Sequence, residues 1–395
     1  MSDHQSTQTE PASRARPRRR WWLPAIPVVI SAILFGVPWW TLLGAGTHWP
    51  TAVVSSGSVV FAVAVVALPA LTILGHGGRR PDWAAVAADT LLGSVWVLFT
   101  TSVVGLLLRL VLVLAGVEDP TRSRVVAVTV VVVALAVLAW GHYEAMRVPR
   151  VRAVDVVLPR LGSGLDGLRV AMITDTHYGP IDRRRWSAGV TERVNALDAD
   201  LVCHVGDIAD GTVAMREPQA APLKAMRAKL ARVYVTGNHE YYGEALGWVD
   251  YMTDIGWDVL HNRHVVLERG GDRLVVAGVD DATAGGSGVT GHGADLPAAL
   301  ADTDPELPVL LLAHQPKQIP DAVAAGVDLQ ISGHTHGGQI WPFNFFVRLD
   351  QPVVHGLSRH GERTQLYAGR GTGFWGPPFR VFAPSEITVL TLRRA

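Results

Sequence analysis

Carboxylates, imidazoles and one carboxamide recur in five short motifs along the last two-thirds of this 395-residue chain. In order they are Asp175-Thr-His177, Gly206-Asp207-Ile-Ala-Asp210, Gly237-Asn238-His239-Glu240, His314 and Gly333-His334-Thr-His336. No thiolate stands among them. Oxygen and nitrogen donors of this kind suit two hard-to-borderline divalent cations held side by side. Dications about 3.5–4 Å apart repel strongly, and a carboxylate shared between them offsets the repulsion. Asp207 is the best candidate for that bridge. Asp175 and His177, two positions apart, can clasp one cation. Asn238 offers a neutral oxygen to the other, and His314, His334 and His336 complete the set. Such a site accepts Mn, Fe, Zn, Ni or Mg according to supply and geometry.

The elements that must place these residues are legible as apolar, β-branched runs, each ending just before a motif. Segments 168–174, 201–205, 233–236, 274–278, 309–313 and 329–332 read as buried strands, with a last strand at 386–392. Segments 184–197, 222–230, 244–255 and 317–325 have helical texture, and 269–271 reads as a hairpin turn between 264–268 and 273–278. Alternation of this kind predicts an α/β domain with helices packed over sheets. In such sheets ligands gather beyond the carboxyl ends of strands, so residues distant in sequence can share one crevice.

The ordered set resembles the motifs of the calcineurin-like metallophosphoesterases, which read D-x-H, G-D-x-x-D, G-N-H-[DE], H and G-H-x-H. All five are complete here, over nearly all of 151–395. Gly337-Gly338-Gln339 and the ending from Leu366-Tyr-Ala-Gly-Arg-Gly-Thr-Gly to Pro384-Ser-Glu-Ile-Thr are similar to a membrane-attached bacterial branch. Some members of that branch act on UDP-2,3-diacylglucosamine-type or other lipid-linked substrates. The resemblance implies a four-layer αββα sandwich of two mixed sheets. It implies one metal on Asp175, His177, Asp207 and His336, and a second on Asp207, Asn238, His314 and His334. His239 would protonate the leaving oxygen or stabilise its charge, Asp210 would orient His239, and Glu240 would support the ligands from behind. The implied chemistry is attack on phosphorus by a hydroxide shared between the cations.

The N-terminal third reads differently. Four apolar runs, 21–44, 51–74, 90–116 and 125–143, are each long enough to cross a bilayer. Trp21, Trp22, Trp39, Trp40, Trp83 and Trp140 fall near their ends, as an interfacial belt requires. Pro24, Pro27 and Pro38 are tolerated in spans of this kind. The domain plan is therefore a basic arm at 1–20, a four-helix transmembrane region at 21–143, a linker and first strand at 144–166, and the metallophosphoesterase domain at 167–395. The arm carries Arg14, Arg16, Arg18, Arg19 and Arg20, a cluster that beside apolar runs suits anionic lipid better than nucleic acid. With Arg79, Arg80, Arg147, Arg150 and Arg152, it places both termini and the catalytic domain in the cytoplasm of a multi-pass membrane protein. Arg18-Arg19-Arg20-Trp-Trp-Leu also carries a faint likeness to a twin-arginine export signal, with anchoring the simpler account. Arg109, near the end of the third run, reads equally as a functional charge or one that snorkels.

Formal net charge is zero, and a single cysteine, Cys203, excludes an internal disulfide and a cysteine-based zinc site. His204, His261, His264, His292, His355 and His360 read as surface or core histidines, His204 least securely because it precedes Asp207 on the same strand, and Asp280-Asp281 as a turn after a strand, with pocket lining the alternative. Two aromatic clusters, 341–346 and 374–379, suit either core packing or an apolar lip for an acyl or prenyl chain. The leading expectation is thus a membrane-anchored phosphoesterase cleaving an amphiphilic phosphodiester or pyrophosphate, with membrane lipids as partners and no nucleic acid. The same chemistry on a soluble nucleotide or phosphoprotein is the alternative. A non-catalytic membrane sensor or scaffold is the third reading, disfavoured by the complete ligand set.

Overall fold

The computed structural model describes residues 25–44, 46–77 and 81–395. The basic arm, Trp21, Trp22, Pro24, Arg79 and Arg80 lie outside the described residues. Four apolar helices come first: α1 (Ala25–Leu43), α2 (Thr51–His76), α3 (Asp82–Leu114) and α4 (Thr121–Met146). The last three are long and apolar enough to cross a membrane, while the apolar stretch described in α1 is the shorter Val28–Leu43. Arg109 stands near the C-terminal end of α3. Its guanidinium reaches the Ser123 hydroxyl at 3.2 Å, lies 3.8 Å from Asp119 in the α3–α4 loop and sits over the Trp40 ring.

The alternation of apolar residues along each strand fixes the layers of the remaining chain. In β2 (Arg169–Ile173), Val170 and Met172 face one core while Ala171 and Ile173 face another. Both faces of the strand are therefore buried, as a two-sheet sandwich requires. The first sheet also contains β1 (Arg150–Leu158), β3 (Leu201–Val205), β4 (Ala231–Val235), β5 (Asp258–Val259) and β12 (Glu386–Arg394), in the order β1-β12-β2-β3-β4-β5. The second is formed by β6 (Arg263–Arg269), β7 (Asp272–Gly278), β8 (Val309–Leu312), β9 (Leu329–Ser332), β10 (Gly356–His360) and β11 (Thr364–Ala368), in the order β10-β11-β9-β8-β7-β6. Each mixes parallel and antiparallel pairs. Leu201, Val233, Leu310 and Ile331 fill the space between the sheets.

Helices α5 (Arg184–Asn195), α6 (Val213–Ala220), α7 (Asn238–Tyr242) and α8 (Ala245–Asp254) belong to the first sheet's side, where Trp186, Val190, Trp248 and Met252 cover its outer face. The short helices α9 (Leu296–Ala299) and α10 (Ile319–Ala324) cover the second sheet, and α11 (Asn344–Val347) follows the last motif. The architecture is the expected αββα sandwich.

Two local expectations need correction. The helix expected at 222–230 lies earlier, at α6, and gives way to a tight turn over Ala221–Ala225. The backbone after it turns back, with Lys229 and Leu230 donating to the carbonyls of Ala199 and Asp200, which a helix would forbid. The third apolar helix begins at Asp82 rather than residue 90 and runs for 33 residues. At 1.5 Å per residue that is about 50 Å, against about 30 Å for the hydrocarbon layer of a bilayer.

The overhang of α3 is bolted to the α/β domain. Arg216 pairs with Asp82 through two bonds of 2.7 and 2.9 Å. At Gly93 a Cβ would meet the Phe379 ring at 2.6 Å and Pro377 at 2.8 Å, so the absent side chain is what lets helix and loop touch. Arg380 donates its N–H to the Gly141 carbonyl of α4 at 2.8 Å. A small apolar cluster of Val97, Ala134, Ile340, Phe379 and Val381 completes the joint.

Candidate active site

All five motifs follow strands that end at one edge of the sandwich: β2, β3 and β4 in one sheet, β8 and β9 in the other. The strand ends converge, and the loops leaving them turn sharply. Asp175, His177, Asp207, His334 and His336 all hold positive φ angles, between 41° and 69°. The left-handed region costs a side chain of this kind of order 1 kcal/mol or more, and it is retained where geometry at a site demands it. At Gly237 a Cβ would lie 2.2 Å from an Asp207 carboxylate oxygen, so the carboxylate needs glycine there.

The motif residues gather into two adjoining groups, Asp175 with His177 and His336, and Asp207 with His314 and His334, and Asp210 and His239 form a further set with His177. Asn238 joins the second, its Oδ1 lying 2.8 Å from Nδ1 of His334. His177 Nε2 lies 3.0 Å from His336 Nε2 and 3.5 Å from Asp207 Oδ2. Asp207 Oδ2 is also 3.2 Å from His314 Nε2, so its carboxylate touches both groups. Glu240 accepts the N–H groups of Asp207, Ile208 and Gly237 at 3.0, 2.7 and 2.6 Å, tying the second motif to the third. His204 belongs to neither group: it is buried 3.2 Å from the Thr176 hydroxyl, and burial lowers its pKa to about 3.

The donor set fits a cation pair on its hydrogen bonding. His314 Nδ1 donates to the Val205 carbonyl at 2.7 Å, which leaves Nε2 as a lone pair. That buried nitrogen makes no hydrogen bond, although the Asp207 carboxylate faces it. A nitrogen and a carboxylate facing each other out of water need a positive charge between them, which a proton on Nε2 or a bound cation supplies. Electrostatics agree. Burial works against a charged His314, yet Asp207 raises its pKa well above the usual value, so a positive charge is favoured at this point. Burial raises the Asp175 carboxyl, whereas His314, His239 and His177 hold Asp207 well below its ordinary range against the same burial.

Asp210 serves two imidazoles. Its Oδ1 accepts from Nδ1 of His239 at 2.7 Å and from Nδ1 of His177 at 3.1 Å. Sequence reasoning expected the first contact and missed the second. Burial disfavours the charged form of His239, but Asp207 and Asp210 outweigh it and raise the pKa to about 9. Its ring packs edge-on against Tyr242 and Trp375, at 5.3 and 5.6 Å.

Two cavities meet at His239. One, of about 290 Å³, is bounded by His76, Asp89, Arg216 and Phe374. The other, of about 550 Å³, runs from Asp207, Asn238 and His334 to Leu92 and Trp96 of α3 and to Phe346. Trp96 meets Phe343 and Phe346 edge-on at 6.0 and 6.2 Å. The cluster at 341–346 is therefore not core: Phe343, Phe345 and Phe346 are about half exposed beside α3. No motif announced Trp96 or Tyr242 as site residues, whereas Trp375 belongs to the 374–379 cluster weighed as an apolar lip. Arg380 was missed too. It is fully buried and donates to the carbonyls of Gly373, His336 and Arg370, tying the last ligand loop to the C-terminal segment. Its signal was only the Arg-Gly-Thr-Gly stretch ten residues earlier.

A family model described as "Calcineurin-like phosphoesterase" matches residues 168–338. A Danio rerio protein named "Transmembrane protein with metallophosphoesterase domain" is 36% identical over 328 residues, covering 80% of this chain and 75% of that protein. A Campylobacter jejuni protein named as an uncharacterized metallophosphoesterase is 34% identical over 292 residues, covering 72% of this chain and 75% of that one. A solved dimetal phosphatase from Danio rerio aligns with a TM-score of 0.34 and 12% identity, over 52% of this chain and 88% of that one.

Proposed function

The chain belongs to the calcineurin-like metallophosphoesterase family, and on that premise we propose that it is a multi-pass membrane enzyme hydrolysing a phosphodiester or pyrophosphate whose other end is a lipid chain. The observation that carries the lipid assignment is the larger of the two cavities, whose lining runs from the proposed ligands Asp207, Asn238, His334 and His336 to Leu92, Trp96 and Phe346. A phosphoryl group at the ligand end would leave an attached chain lying along α3, the helix that enters the membrane. Asp175, His177, Asp207 and His336 would hold one cation, and Asp207, Asn238, His314 and His334 the other. When bound, the cations supply charge neutralisation at phosphorus and activation of the attacking water. Asp210 fixes the Nδ1–H of His239 and so aims Nε2 at the leaving oxygen, to which His239 gives its proton. Glu240 keeps the Asp207 and Asn238 turns in register.

The test compares full-length protein, in mixed micelles with Mn²⁺, on a long-chain phosphodiester and on its short-chain analogue. Each methylene taken from water is worth about 0.8 kcal/mol, so a few buried ones give at least about tenfold higher kcat/KM on the long chain. Trp96→Ala is expected to erase most of that preference and leave the short-chain rate unchanged. Equal rates on both substrates would remove the lipid assignment and favour a soluble phosphoester. Chelation should abolish both activities. We place the catalytic domain in the cytoplasm on the arginine bias; its digestion by protease outside sealed right-side-out vesicles would reverse that placement.

A further inference from the structure

Outside the five motifs, one more set of side chains among the described residues converges on a point. His261 follows β5, Asp280 follows β7, and His292 lies in the segment before α9. Nδ1 of His261 is 2.7 Å from Asp280 Oδ1, and Nδ1 of His292 is 3.4 Å from Asp280 Oδ2. The two imidazoles stack with centroids 4.3 Å apart and planes 27° from parallel, so both rings present the same edge to one carboxylate. Tyr241 brings its hydroxyl to 2.9 Å from Nδ1 of His292. Three of these groups have their donor atoms within 4.8 Å of one another.

The geometry points to a third divalent-cation site, separate from the proposed catalytic pair, held by His261, Asp280 and His292 with the Tyr241 hydroxyl as neighbour. The charges favour it. Asp280 is almost wholly buried and is the one carboxylate that both imidazoles face. The rings stack at 4.3 Å and both turn Nδ1 toward the one carboxylate. One dication would take both nitrogen lone pairs and share the carboxylate. Two imidazoles, a carboxylate and an open position are a donor set that suits Zn²⁺ above the harder cations.

The surroundings are built to hold the ligands in place. Asp280 Oδ2 accepts the Gly293 N–H at 2.9 Å. Asn262 spans the loop, donating to the Gly293 carbonyl at 2.7 Å and accepting the N–H groups of Asp280 and Asp295 at 3.2 and 3.0 Å. Supports of this kind orient metal ligands from behind. The His261 side chain is 40% exposed and gives an ion a path from solvent, whereas His292 is 8% exposed. Tyr241 also contacts the Thr236 hydroxyl at 3.0 Å and lies in α7, the helix that begins with Asn238. Through the Tyr241 hydroxyl, an ion here would link the loop at 280–293 to the helix that presents Asn238 and His239.

The test counts metal. Full-length protein in detergent is stripped with chelator, equilibrated with Zn²⁺, desalted and analysed by mass spectrometry for zinc per chain. The wild type is expected to hold three equivalents and the His261→Ala/His292→Ala protein two. His292→Gln, which keeps a polar partner for Tyr241, is expected to give the same loss of one equivalent and guards against misfolding of the double variant. Two equivalents in the wild type, or three in a folded variant, overturns the site. Neither result bears on hydrolysis at the cation pair, which is read independently by activity.

Discussion

Asp207→Ala is expected to release the proposed cation pair and to lower hydrolysis by about 100- to 1,000-fold, the scale on which a principal electrostatic stabiliser of a transition state acts. The reason lies in its position. Oδ2 of Asp207 is 3.2 Å from His314 Nε2 and 3.5 Å from His177 Nε2, so it bridges the two ligand groups. Oδ1 accepts the His239 N–H at 2.9 Å, which ties the same carboxylate to the proposed acid. Without it, two close dications lose the negative charge that offsets their repulsion. Asp207→Asn keeps the volume and removes the charge, and it should behave like the alanine variant. The readout is metal per chain beside turnover of bis(p-nitrophenyl) phosphate. Undiminished metal in the pair with Asp207 replaced would count against bridging.

His239→Ala should separate the same two quantities. Its Nδ1–H is held by Asp210 at 2.7 Å, and its ring lies where the two cavities meet. In the proposed mechanism the side chain moves a proton rather than binding a cation. Metal content is then retained while kcat falls by roughly 100-fold or more, the usual contribution of a positioned general acid. Substrates with an acidic leaving group, such as p-nitrophenolate, need less help from a proton donor. They should therefore lose less than alkyl esters do. Wild-type turnover in the alanine variant would refute the role, and loss of a cation would instead make His239 a ligand.

Much of this site was legible because its chemistry is local. Asp175, Asp207, Asn238, His314 and His334 each stand at or within three residues of a strand end, so apolar runs and the residues after them were enough to propose one crevice. The two sheets were legible for a related reason: alternation in segments such as β2 fills both faces. What stayed hidden depends on contacts between distant segments. Arg380 is one arginine among many until the chain folds and surrounds it with carbonyls. Trp96 reads as one more apolar residue in a span, and only docking turns it toward Phe343. The helix expected at 222–230 failed because pairing to the backbone at Ala199 and Asp200 overrode local preference.

The joint at Gly93 and Gly141 has a practical consequence for anyone who would study the hydrolase as an excised soluble fragment. Cutting after α4 would remove Leu92 and Trp96, and with them one side of the chamber. It would also lay bare Phe379, Val381 and Ile340, which the bundle now shields from water. Such a truncation would carry every metal ligand proposed here and yet offer substrates a differently shaped and stickier opening. Kinetics measured on it would describe the chemistry while misreporting the selectivity.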